Sequence, residues 1–232
     1  MISSWDDKKT KSKYHYDSTV IDPQYDTVTR LGRILPCWQK ELATLVEQAD
    51  AVTWRTFRRT GHTEDTLAAE DYDLERAGYG KDHVLTNMTW DIPPILQQIS
   101  KLFAFDNSKS RIHVQVPGQM WNLHMDRIEG WCPENPEKIM RVLIQLTDWE
   151  PGWFWGYGNY QYHMWSAGDV TTFDWLNVPH CTANAGLSPR VTLQITGIRT
   201  EQTENFLRIF TSQPEFDLKS IVLSTLRAKS GS

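Results

Sequence analysis

Cysteine is scarce: Cys37, Cys132 and Cys181 are the three in 232 residues. Three scattered thiols cannot build a disulfide framework or a four-cysteine zinc site, so the chain is expected in a reducing, cytoplasmic compartment. Long apolar runs are missing too. Nothing approaches the roughly 18–20 residues of a membrane span, and the charged opening "MISSWDDKKTKSKYHYDS" has no apolar stretch of the kind a signal peptide needs. Positive charge is not in excess. The net charge is −5 and the sequence pI about 5.8, so no global field attracts nucleic acid; a small-molecule or peptide substrate is the expected partner. There is no internal repeat and no low-complexity tract, and the sequence leaves the oligomeric state open.

Tryptophan, by contrast, is abundant. Of 11 in the chain, Trp121, Trp131, Trp149, Trp153, Trp155 and Trp165 fall between positions 121 and 165. Such residues fill cores, and they also line pockets. The length suits one domain over 1–232. Residues 1–20 read as a loosely held arm and 21–110 as a helical and loop support. Within that support, "RILPCWQKELATLVEQAD" (33–50) has helical apolar spacing. "DIPPILQQISKLFAF" (91–105) reads as a second helix with Asp91 as N-cap and prolines in its first turn.

From 111 the period shortens to two. "RIHVQVPG", "RVLIQLTDW", "YQYHMWSAGDVTTFDW", "PHCTANAG" and "RVTLQITGI" are short, β-branched and aromatic, with Gly and Pro between them. Strands crowded after helices imply an α+β fold: a sandwich or barrel core over 111–198, with helices again in 199–232.

Within "WNLHMDR" (121–127), His124 and Asp126 alternate onto one face if the strand continues through them. His180 in "NVPHCTANAG" offers a second imidazole, and Arg190 and Thr192 follow in "SPRVTLQITG", also two apart. Two neutral imidazoles and one carboxylate are the facial donor set that holds Fe(II) while leaving positions open for an oxo acid and O2. A guanidinium gives a dicarboxylate co-substrate a two-pronged, permanently charged anchor. Cys181, adjacent to His180, faces the opposite side and is not counted as a ligand.

His124-x-Asp126, then His180, then Arg190-x-Thr192 resembles the Fe(II)/2-oxoglutarate-dependent dioxygenases. The likeness covers roughly residues 111–198. It implies a double-stranded β-helix (a jelly roll, cupin-like) core with flanking helices at both ends. The HxD pair would follow the second barrel strand, the distal His would lie on the seventh and the Arg on the eighth. It implies Fe(II) held by His124, Asp126 and His180, and 2-oxoglutarate anchored by Arg190 with Thr192. The implied reaction consumes O2, releases succinate and CO2, and hydroxylates an amino-acid side chain or small molecule. Trp121, Trp155 and His163 are the candidate substrate-pocket residues. Gln115, Trp121, Asn122 and Gln145 are candidates for a second contact to the oxo acid. Two other classes stay open: a cupin-like metal-binding protein without 2-oxoglutarate turnover, and a nucleobase oxygenase.

Overall fold

The computed structural model describes residues 28–47, 87–89, 92–126, 128–213 and 215–218. Among these, ten strands form two antiparallel sheets. The larger runs in the order β1 (Thr29–Arg33), β8 (Asp169–Thr172), β5 (Ile139–Gln145), β10 (Arg190–Ile198), β3 (Asp106–Gln115) and β2 (Asn87–Thr89). The smaller runs β4 (Met120–His124), β9 (His180–Asn184), β6 (Trp153–Tyr157) and β7 (Tyr160–Tyr162). Strands β3 to β10 pass between the sheets in the jelly-roll manner, with only the β6–β7 hairpin staying in one sheet, so the core is a double-stranded β-helix with helices beside it. Counted from β3, His124 ends the second strand, His180 opens the seventh and Arg190 opens the eighth.

The period of two sorts the residues of the large sheet between two environments. Val142 and Ile144 of β5, Val191, Leu193 and Ile195 of β10, and Ile112 and Val114 of β3 are buried on its outer face. There they meet three helices: α1 (39–47), α2 (Pro94–Leu102) and α3 (Glu201–Thr211). Trp38, Leu96, Ile99 and Phe210 fill that layer. Helix α3 starts where Thr200 accepts from the Thr203 backbone N–H and the Thr203 hydroxyl answers to the Thr200 N–H, a closed capping box.

A second, aromatic core lies between the sheets. Trp153, Trp155, Tyr157 and Tyr162 of the small sheet pack with Leu143, Ile139 and the loop residues Trp165, Phe173 and Trp175. The described tryptophans therefore do both things their chemistry allows: most fill or pack against this core, Trp155 also lines a cavity, and Trp121 lines that cavity without joining the core.

The N-terminal boundaries differ from expectation. The jelly roll starts at Asp106, not 111, and the supposed helical support gives two strands, β1 and β2, to the large sheet. Arg33, expected to begin a helix, ends β1; the helix starts at 39, because Pro36 keeps Leu35 extended and β1 finds β8 to pair with. Helix α2 is capped by Pro93, with no side-chain cap. Asp91, the arm 1–20, residues 51–86 and most of the last expected helix lie outside the described residues. No helix among the described residues is long and apolar enough to cross a membrane.

Candidate metal centre

His124 and His180 are direct partners across the β4–β9 ladder, which brings their rings to 4.3 Å between centroids. Asp126 arrives differently from the strand alternation expected. Strand β4 ends at His124, and Asp126 lies just beyond it, in a loop. Its carboxylate turns back so that Oδ1 is 4.0 Å from His124 Nε2 and Oδ2 is 3.7 Å from His180 Nε2. One ligand atom from each of the three residues lies within 4.8 Å of the others.

The His180 Nδ1 is 3.4 Å from the Val178 carbonyl oxygen, an arrangement that puts the proton on Nδ1 and turns the Nε2 lone pair toward Asp126. Phe173 meets the same ring edge-on at 4.8 Å, and Trp121 stacks on His124 at 5.6 Å. Burial pushes the His180 pKa down to about 3, so the ring is a neutral donor at physiological pH. For Asp126, burial pushes the pKa up, but the Arg141 guanidinium, with smaller help from the imidazoles, holds it below the ordinary carboxylate value.

Arg141 is the residue that sequence reasoning missed. It donates from one Nη to Asp126 and from Nε to the Thr196 hydroxyl (3.2 Å), and it is 5% exposed. A signal was present. In "MRVLIQL" the residues Val142, Ile144 and Leu146 mark the helix-facing side, so Arg141, Leu143 and Gln145 must face inward.

The register of β3, β10 and β5 arranges the interior in rows. Gln115 stands opposite Arg190; His113 and Gln145 flank Thr192; Arg111 and Leu143 flank Gln194; Lys109 and Arg141 flank Thr196. Apart from Leu143 this inner face is polar, the reverse of a barrel filled with branched aliphatics. The deep rows hold unpartnered buried atoms: Nε and one Nη of Arg190, the amide nitrogen of Gln145 and Nε2 of His113. Arg190 is 2% exposed and stacks over Trp155, guanidinium carbon 4.3 Å from the ring centroid; burial lowers its pKa to about 9, so it remains a cation at neutral pH. Thr192 donates to Gln145 Oε1 (2.9 Å), which leaves that amide's N–H groups for a ligand.

Together these rows and the small sheet enclose a cavity of about 520 Å³ including its mouth. His124, Asp126, His180, Arg190, Trp121 and Trp155 line it. His163 does not. It is exposed and lies against Trp149 at 6.2 Å, because β7 ends at Tyr162 and the chain turns outward there. Among the proposed second contacts, Gln115 donates to Thr182 (3.0 Å), Gln145 and Trp121 are as described, and the Asn122 side chain lies outside the described atoms. The Cys181 thiol sits beside Gly156 and Phe154, and Cys181 is among the residues lining the cavity.

No protein-family model matches the chain, and no curated protein matches it. Solved structures do. A Pseudomonas putida prolyl-4-hydroxylase aligns at 15% identity and a TM-score of 0.47, over 75% of this chain and 93% of its own. A predicted oxalate decarboxylase from Thermotoga maritima aligns at 13% and 0.32, over 49% and 80%. An uncharacterised Klebsiella pneumoniae protein with a double-stranded β-helix domain aligns at 16% and 0.30, over 40% and 70%.

The donor set fits a divalent transition ion: two imidazoles and one ionised acid, with Arg141 fixing the acid from behind. The same burial predicts acid sensitivity. Between pH 6.5 and about 3 the unfolded chain takes up a proton at His180 that the folded chain refuses; His113, half-buried and also depressed, adds to this. Stability of metal-free protein therefore falls as pH drops through that window, by up to ~1.4 kcal/mol per pH unit for each imidazole. Asp126 contributes in the same direction lower down: the stability its depressed pKa confers is present above 3.8 and lost as pH falls through the folded value. Urea titrations at stepped pH in chelator would read this; a flat profile from 6.5 to 4.5 would mean that both rings protonate freely in the fold.

Proposed function

We propose that the chain is an Fe(II)- and 2-oxoglutarate-dependent oxygenase, converting R–H, 2-oxoglutarate and O2 to R–OH, succinate and CO2. The observation that carries the reading is a pairing in one cavity. A His-Asp-His donor set lines it from the small sheet and the loop after β4, and from the large sheet a buried guanidinium with no anion among the described residues faces the same cavity. A metal-binding module alone needs the first and not the second. An isolated buried cation is costly, and a bound dicarboxylate offsets that cost.

In this reading His124, Asp126 and His180 hold iron, which when bound supplies the redox chemistry that couples O2 to the two substrates. Arg190 receives the far carboxylate of 2-oxoglutarate in a charge-assisted pair, and Trp155 fixes the plane of the guanidinium. The amide N–H groups of Gln145, an amide oriented by the Thr192 hydroxyl, stand within the same rows to donate to the co-substrate. Arg141 keeps Asp126 ionised and in place, and the aromatic walls around His180 keep water out. The substrate is an amino-acid side chain or a small molecule entering past Trp121.

An anaerobic titration tests this. Fe(II) with 2-oxoglutarate is expected to give a weak visible charge-transfer band that neither gives alone. A folded, iron-loaded protein that shows no band with excess 2-oxoglutarate would point instead to a cupin-like metal protein.

A further inference from the structure

Arg141 is held at both ends. Its carbonyl oxygen accepts from the Thr172 hydroxyl (2.8 Å), its Nε donates to the Thr196 hydroxyl (3.2 Å), and one Nη donates to Asp126 Oδ2. Thr196 stands directly opposite Arg141 in the β10–β5 register, which is what brings its hydroxyl to Nε. Arg141 is 5% exposed and Thr196 2%, and burial strengthens such bonds. A guanidinium is a rigid plane. A single hydrogen bond lets it pivot, whereas bonds from two of its nitrogens fix its direction. That direction matters for Asp126. Arg141 takes up a lone pair of Oδ2, while Oδ1, 4.0 Å from His124 Nε2, keeps its own.

Resting on the metal centre of the oxygenase reading above, we propose that Thr196 is a positioning residue for that centre: by aiming Arg141 at one oxygen of Asp126, it makes the acid a one-oxygen ligand. A carboxylate that chelates through both oxygens takes two positions on an ion, and one that binds through a single oxygen takes one. Beside two imidazoles, the single-oxygen mode leaves three positions of an octahedral ion for an oxo acid and O2, and the chelating mode leaves two. Thr196 itself is not among the residues that line the cavity, so it acts on the site only through Arg141.

The test uses full-length protein with Zn(II), in competition with a chromophoric chelator, and with Co(II), whose visible bands change with its coordination. Thr196→Val keeps the shape of the side chain and removes the hydroxyl. It should weaken Zn(II) binding about tenfold or more, the usual loss for a partner that orients a ligand, and it should shift the Co(II) bands. Thr196→Ser should restore both. Thr171→Val is the control: it deletes a buried hydroxyl of the same sheet that has no partner among the described residues, and it should change neither. The Lys of Arg141→Lys can still meet Asp126 but has no second nitrogen for Thr196, so it should lose a similar factor, and adding Thr196→Val to it should cost nothing further. All affinities are read well below the melting temperature of each variant, where a loss of stability alone leaves them unmoved. Thr196→Val that keeps either the affinity or the bands of wild type overturns the proposal. So does a loss that serine does not restore, or one that adds in full to that of Arg141→Lys. Wild type that takes up neither metal overturns the oxygenase reading and this inference together. Wild type that takes up Co(II) but whose bands ignore 2-oxoglutarate overturns the oxygenase reading alone, and the Thr196 comparison still decides the positioning role.

Discussion

Arg190→Met is expected to raise the melting temperature of ligand-free protein and at the same time abolish useful 2-oxoglutarate binding. The two effects have one cause. In the folded chain the guanidinium is 2% exposed, and its Nε and one Nη have no partner among the described residues. Desolvation of a charge costs several kcal/mol, and Trp155 beneath it returns only part. Methionine is unbranched, adaptable and apolar, and it can lie on the same indole face. A gain of ~1–4 kcal/mol is expected, which for a chain of this length shifts the melting temperature by roughly 5 °C. The co-substrate loses its charged anchor, and its affinity should fall by about 10²–10³-fold. Differential scanning fluorimetry with and without 2-oxoglutarate reads both effects. Wild type should be stabilised by the ligand, and the variant should start higher and not move. A variant that melts lower and still responds to 2-oxoglutarate would show that Arg190 is structural. This is the trade expected where a residue is kept for binding at the expense of the fold.

The other buried arginine should behave in the opposite way. Arg141→Met leaves Asp126 ionised beside the neutral imidazole of His180, with burial against it and its guanidinium partner gone. Breaking one side of a buried pair costs ~3–5 kcal/mol, and the Thr196 hydroxyl also loses the Nε–H that Arg141 donates. The metal-free variant should therefore unfold at a markedly lower temperature. Its stability should recover with divalent metal, because an ion at the His124–Asp126–His180 site supplies the positive charge that Arg141 gave. The sign with pH also inverts. With Arg141 gone, burial raises the Asp126 pKa, so mild acid, by protonating the carboxyl, should relieve part of the loss. Thermal melts in chelator and in saturating Zn(II), at two pH values, separate these effects. If the variant is equally unstable with and without metal, Asp126 is not a ligand that Arg141 supports.

Why two arginines on neighbouring strands differ in sign is not visible in one dimension. Both sit at inward positions of strands, and the β-period alone marks them as facing the interior. Arg141 meets a carboxylate because the loop after β4 folds Asp126 back over β5; Arg190 meets an indole and open space. Those encounters join residues 15 and 35 positions apart through the packing of two sheets, which no local pattern encodes. The small sheet likewise decides that Trp155 lies under a cation, whereas His163, one residue past β7, turns away from the cavity.

From its residues alone the chain determined strands of period two between helices, a sandwich or barrel core, and named His124, Asp126, His180, Arg190 and Thr192 as candidates. The strands are legible because alternation fixes which side a residue faces, and the metal candidates because a metal's donor preferences restrict the residue types. The tertiary structure decided the rest. It paired β1 and β2 with the large sheet and set His124 opposite His180. It tied Asp126 to Arg141 and left Arg190 without an anion among the described residues. Charge balance is a property of a closed volume, and a volume exists only after distant strands have enclosed it.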